Sequence, residues 1–302
     1  MAKIAGTIAA HGHWNPFMSD ALKGVLLALA GIVILSPDTL LVRLLDLPQW
    51  TLQFYRGFGT LVGLSVGMAV LYRREVAPLF RAVGWRGVVA GLCYTMASLL
   101  FVSALYHTTV ANTLAIISIA PIFGALMTRF LLKDQLPLRT WVAAAFSLGA
   151  IGIILGGDLS AGAEYWFGDL LALLQALFMA ASFILVRSRS EVNMVPCMAI
   201  GGFFMCLVAL PLAPTLTVEA AKWPLLGMLI LGVIPASFTL LVTASRYISA
   251  PEVNMIMLLE MIFGPFLVWA IVDEGVAPTT LLGGGLLLAV LLGHSLLSVR
   301  RL

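Results

Sequence analysis

Charge is what this sequence has least of. Of its 302 residues only 10% are Asp, Glu, Lys or Arg, against about 25% in a soluble domain, while 61% are hydrophobic and the mean hydropathy is +1.06. No soluble fold of this length hides so much apolar surface, so the surrounding solvent is lipid. Cysteine is scarce too: Cys93, Cys197 and Cys206 lie singly in apolar runs with no CxxC, which excludes a disulfide framework or a thiolate metal site. The four histidines are scattered, with no HExxH, so neither a metal nor a cofactor is expected. Alternating segments of about ten residues are missing, which excludes a membrane β-barrel. The N-terminus has no charged region followed by a short apolar block and a cleavage site. The first apolar run is therefore expected to stay as a membrane helix behind a cytoplasmic tail, residues 1–21, that carries His11 and His13.

Long apolar runs are what is present. A helix rises about 1.5 Å per residue, so roughly 20 residues cross a hydrocarbon core of about 30 Å. Ten runs fit: 22–45, 49–72, 86–106, 109–132, 139–156, 168–187, 194–212, 224–246, 252–272 and 279–299, spans 1 to 10. Sorting the loops alternately puts fourteen Lys and Arg residues on one side, among them Lys23, Arg81, Arg129 and Arg246, against Arg43 and Lys222 on the other. By the positive-inside rule both termini are cytoplasmic, as in a bacterial inner membrane. Trp14, Trp50, Trp85, Trp166 and Trp223 fall near span ends, as interfacial anchors do.

The chain also repeats. Ile119-Ala120-Pro121-Ile122-Phe123-Gly124 aligns with Leu259-Glu260-Met261-Ile262-Phe263-Gly264 at an offset of 140, which also sets Asp134 on Glu274. At 141, Gly91 meets Gly232; at 144, Gly24 to Leu29 meets Gly168 to Leu173, and Arg43 meets Arg187. Each half holds five spans, and five is odd, so the second half enters from the opposite side. The expected fold is an all-α integral membrane protein of ten transmembrane helices in two inverted five-helix repeats, 22–156 and 168–299, with an external linker at 157–167. Inverted repeats of this kind characterise secondary transporters, whose substrate sites lie near the midplane between the halves.

In these motifs the chain resembles the drug/metabolite transporter superfamily, in its ten-helix EamA-type branch. The resemblance is carried by Ile119 to Gly124 running on to Lys133-Asp134, an apolar-Pro-apolar-Phe stretch that ends in an acid, and by the second copy from Leu259 to Asp273-Glu274. The second copy has Met261 where the first has Pro121, with Pro265 four residues later. Arg56, in Phe54-Tyr55-Arg56-Gly57-Phe58, looks like that family's arginine near the start of span 2. The resemblance implies export or exchange of small metabolites by alternating access, through a cavity built from the eight spans other than 5 and 10.

Charged groups at membrane depth cost about 2.5–3.5 kcal/mol or more and generally face a cavity or a partner. Three stand clear of the span ends. Asp38, with Pro37 before it, and Arg56 share a depth in the outer half, where they form either a substrate-binding pair or a structural ion pair. Glu260 lies near the middle of span 9, with no base evident at its depth. Desolvation disfavours the charged form of such an acid, which suits proton coupling or recognition of a cationic substrate. Asp38 is the second candidate for proton coupling. Tyr55, Tyr94, Ser98, Asn112 and Gln175 are candidate pocket residues, with Trp166 and Asn254 as softer ones. Pro37, Pro121, Pro235 and Pro265 are candidate hinges. Gly149, Gly152 and Gly156 in span 5, and Gly283 to Gly285 with Gly293 in span 10, offer small faces for packing or for a homodimer.

The expected function is secondary active transport of a small, amino-acid-like metabolite, driven by proton exchange or the substrate gradient. The expected partners are that substrate and the lipid bilayer, with no nucleic acid. Two other readings compete with it. One is a passive channel. The other is an intramembrane serine protease using Ser65, in Gly63-Leu64-Ser65-Val66-Gly67, with His294; span 2 lacks the strand-to-helix elbow that this motif needs.

Overall fold

The computed structural model describes residues 20–73, 76–132, 138–161, 165–248 and 250–299. Every regular element among them is helical. The principal helices are α1 (Asp20–Leu35), α2 (Asp38–Leu45), α3 (Gln49–Tyr72), α4 (Val76–Ala82), α5 (Gly84–His107), α6 (Val110–Ile117), α7 (Ala120–Leu132) and α8 (Leu138–Ala161). They continue with α9 (Trp166–Arg187), α10 (Val195–Ala209), α11 (Trp223–Gly227), α12 (Ile234–Ala244), α13 (Ala250–Met257), α14 (Glu260–Val272) and α15 (Pro278–Val299). Among the described residues six segments are long and apolar enough to cross a membrane: Asp20–Leu45, Gly84–His107, Val110–Met127, Trp166–Arg187, Val195–Leu212 and Ala220–Ala244. Glu260–Val272 and Pro278–Val290 are apolar but shorter. The N-terminal tail through residue 19, Lys133 and Asp134 lie outside the described residues.

Several of the expected spans are not single helices. Span 1 breaks at Ser36-Pro37, between α1 and α2, because Pro37 has no N–H to continue the ladder. The Ser36 hydroxyl turns back onto the Ile32 carbonyl at 2.8 Å, and the ladder resumes when Leu41 N reaches Pro37 O at 2.9 Å. Spans 4 and 9 break at 118–119 and 258–259, one offset of 140 apart. The local bonding repeats as well. The amides of Ile122 and Phe123 both reach Ile119 O, at 2.9 and 3.3 Å, while those of Ile262 and Phe263 reach Leu259 O at 3.1 and 3.0 Å. Met261 N donates to Leu258 O at 3.1 Å, whereas Pro121 occupies the corresponding position and has no N–H to donate. Two prolines behave differently from a simple hinge. Pro265 lies inside continuous α14, six residues past the break, and Pro235 is the second residue of α12, just after a π-helical turn, Met228–Val233.

Two arginines cap helix ends in matching ways. Arg43 donates through Nη1 to the Leu105 carbonyl at 2.8 Å and through Nη2 to that of Thr108 at 3.1 Å. Arg187, its counterpart at offset 144, reaches the carbonyls of Ser245 and Arg246, both at 2.9 Å. Ser245 is in turn the counterpart of Leu105 at 140. Both arginines thus satisfy carbonyls that helix geometry leaves without an intrahelical donor. Arg43 does more: its Nε pairs with Glu274 at 2.9 Å, and Glu274 also accepts from Val110 N, the first amide of α6, at 2.7 Å.

Helices α3, α5 and α10 meet through glycine. A Cβ on Gly202 would stand 2.7 Å from the Gly57 carbonyl, and one on Gly201 would stand 2.7 Å from that of Gly91. Thr95 adds a hydrogen bond to Gly201 O at 2.8 Å. This contact fixes the helices that carry Arg56 and Tyr94. Helices α8 and α15 pack chiefly on one another, with Gly283 of α15 against Ala150 and Ile154 of α8. Part of the small-residue face seen in spans 5 and 10 is thereby used within the chain, whereas Gly149 and Gly152 face open space. A Gly202→Val variant is expected to lose about 1–3 kcal/mol, or to fail to accumulate as folded protein, because its side chain meets backbone on α3. Gly149→Ala is expected to leave stability unchanged. Thermal unfolding of both in detergent checks the pair.

Candidate functional site

The breaks put two acids in unusual positions. Asp38 is the first residue of α2 and Glu260 the first of α14, so each carboxyl sits at a helix N-terminus inside the apolar body of the protein. There the unpaired amides and the helix dipole favour negative charge. Both acids line one central cavity of about 40 Å³, room for a few waters. Arg56 of α3 lines it too. Tyr94, Ser98 and Phe101 come from α5, on one face at i, i+4 and i+7. Gln175 and Met179 come from α9, a single turn apart, and Phe238 from α12. The cavity therefore draws on both repeats of the chain.

Arg56 and Asp38 form a bidentate ion pair. Nη1 donates to one carboxylate oxygen and Nη2 to the other, the second at 3.0 Å, and each side chain is 3% exposed. The guanidinium carbon stands 5.8 Å from the Phe101 ring centroid, and Arg56 Nε finds no acceptor among the described residues. Tyr94 meets Phe238 edge to face at 4.9 Å between centroids. Ser98 Oγ lies 3.8 Å from Met205 Sδ. Gln175 is 3% exposed and its Oε1 has no donor. Glu260 corrects an expectation. Straight-helix counting found no base at its depth, yet it faces the same cavity as Arg56 and Asp38 and feels the charge of both, because α14 starts from a break instead of continuing α13.

Two of the sequence candidates lie elsewhere. The Tyr55 hydroxyl donates to the Leu216 carbonyl at 2.6 Å, and its ring packs edge-on to Trp223. Asn112 accepts from Thr280 of α15 and donates to Thr108 Oγ1 at 3.4 Å, tying α6 to α15 and to the end of α5. Trp166 is exposed at the start of α9, and the side chains of Asn254 and His294 lie outside the described residues. Helix α3 runs unbroken through Ser65, with no elbow to present it. Among the described residues no three His, Cys, Asp or Glu side chains gather in metal-ligand geometry. Phe101, Phe238 and Met179 were missed by sequence reasoning. Phe101 had a signal, the i+7 spacing from Tyr94; Phe238 had none in a chain so rich in apolar residues.

An all-helical membrane protein with a charged cavity drawn from two sequence repeats belongs among carriers rather than among enzymes. Residues 22–156 and 166–296 each match the EamA-like transporter family, and the chain belongs to that family. No curated protein matches. Among solved structures, one titled "Crystal structure of protein" aligns with a TM-score of 0.68 at 16% identity, over 92% of this chain and 99% of that one. At that identity the likeness is one of fold.

Removing either member of the Asp38–Arg56 pair leaves a buried charge without its counter-ion. Asp38→Leu and Arg56→Met are each expected to cost about 3–5 kcal/mol, and the double variant much less than their sum. A double-mutant cycle by thermal unfolding measures the coupling.

Proposed function

We propose that this chain is a secondary active transporter that exports or exchanges a small metabolite by alternating access through the cavity around Asp38, Arg56 and Glu260. The observation that carries the reading is the cavity itself: its charged and polar groups come from both family-matched repeats, and its two acids sit at breaks in membrane helices. Discontinuous helices whose N-termini reach the midplane are a recurrent way to build transport sites. Ten spans in two inverted halves, 22–156 and 168–299, fit this reading. The repeated breaks at 118–119 and 258–259 and the matched caps of Arg43 and Arg187 support a shared five-helix unit. The distribution of Lys and Arg supports cytoplasmic termini in a bacterial inner membrane. A homodimer through α8 and α15 rests on the faces that Gly149 and Gly152 leave open.

In this reading the Arg43–Glu274 network closes the outer end by joining α2, α5 and α6 to the loop after α14. Glu260 is the proton-coupling group: it faces Asp38 and Arg56 across the cavity, and neither forms a hydrogen bond to it among the described residues. Proteoliposomes offered a labelled metabolite pool, with and without an imposed pH gradient, test the proposal. Saturable uptake that responds to the gradient is expected. Uptake that never saturates identifies a channel instead. Glu260→Gln is expected to abolish the response of any remaining uptake to the gradient; a response that survives the change removes Glu260 from the coupling step.

A further inference from the structure

The cavity's charges are unequally committed, and on the transport reading above this narrows the substrate. Arg56 spends both Nη groups on Asp38, so the pair is neutral as a unit. Among the described residues no other Lys or Arg lines the cavity. What faces the space is therefore π-surface, the neutral polar groups of Tyr94, Ser98 and Gln175, and one carboxyl without an ion-pair partner among the described residues. The Glu260 carboxyl, on a residue 8% exposed, meets no hydrogen bond or ion pair among the described residues. Gln175 Oε1 is buried and has no donor. Tyr94, Phe101 and Phe238 contribute ring faces and edges.

Ammonium groups carry donors and no acceptor, and they are stabilised by carboxylates, amide oxygens and aromatic faces. A carboxylate entering the same space would meet the acids Glu260 and Asp38, with the Arg56 charge already paired and no other cation in the lining to receive it. We infer that the cavity binds a small organic ammonium ion, its nitrogen held by Glu260 and Gln175 and its carbon body by the aromatic side chains, in preference to an amino acid or an organic anion. Arg56 Nε, a donor without an acceptor, suits a neutral oxygen on the same molecule, such as a hydroxyl. At about 40 Å³ the cavity has to widen around any such substrate, and Met179 and Met257, unbranched and adaptable, line the wall that would give.

The test uses three probes with the same short hydroxylated body: ethanolamine with the ammonium alone, serine with both charges, and 3-hydroxypropionate with the carboxylate alone. The full-length protein is reconstituted in proteoliposomes and uptake of each labelled probe is measured. Saturable ethanolamine uptake, about tenfold or more above the other two, is expected. Losing one charge-assisted hydrogen bond corresponds to about tenfold or more, so Glu260→Gln should lower ethanolamine uptake at least that far. Gln175→Met should raise its apparent KM several-fold, roughly the effect of one neutral hydrogen bond. Unfolding temperatures of both variants in detergent separate these losses from misfolding. Preference for serine or 3-hydroxypropionate overturns the inference, as does ethanolamine uptake indifferent to both variants. If a labelled metabolite extract is taken up saturably and ethanolamine is not, the ammonium assignment fails while the transporter stands. If neither enters, the transporter reading itself fails.

Discussion

The Asp38–Arg56 pair is the interaction around which this structure is built. Two charges that are each 3% exposed in a lipid-embedded protein hold only if geometry and environment both favour them. The break at Ser36-Pro37 supplies one condition, since it makes Asp38 the first residue of a new helix, where the local dipole favours a carboxylate. The glycine contact between α3 and α10 supplies the other. It lets the backbones approach until Gly202 faces Gly57, the residue next to Arg56, which sets where the guanidinium points. With Arg56 neutralised, the cavity keeps Glu260 as its uncommitted charge.

Most of this was legible where the residues contrast with their surroundings. A charge inside an apolar run is conspicuous, so Asp38, Arg56 and Glu260 stand out, and helix arithmetic matched the first two in depth. Pro37 marked a break that the structure has. The rest was hidden for physical reasons. The break at 258–259 contains no proline, and the depth assigned to Glu260 assumed a straight span, so its approach to Arg56 could not be seen. Tyr55 and Asn112 drew notice because they are polar, but they bond away from the cavity to Leu216 and Thr280, partners distant in sequence that only the tertiary fold brings near. Phe238 is one aromatic residue in a chain that is 10% aromatic, and only tertiary packing sets it apart.

The two repeats share scaffold and differ in chemistry. The arginine caps, the breaks in spans 4 and 9 and the short bonds that flank them recur at offsets of 140 and 144. The charged anchors do not recur. Asp38 corresponds to Ser182, in the unbroken helix α9, Arg56 to Ile200, and Glu260 to Ala120. A repeated scaffold suits two conformations of similar energy. An unrepeated set of charges gives a single cavity one sign, instead of two half-sites of equal character.

Burial then separates the ion pairs by the task each can perform. Arg43 and Glu274 are 26% and 22% exposed, so parting them leaves less desolvated charge unpaired than parting Asp38 from Arg56. Such a contact can form and part in each cycle of a carrier without setting a high barrier. Separating Asp38 from Arg56 would strand two desolvated charges, at about 3–5 kcal/mol for either one. On the proposed mechanism the outer pair is therefore the contact that opens, whereas the inner pair travels intact with α2 and α3. The substrate meets that inner pair as a single neutral body, and Glu260 as the group left free to answer its charge.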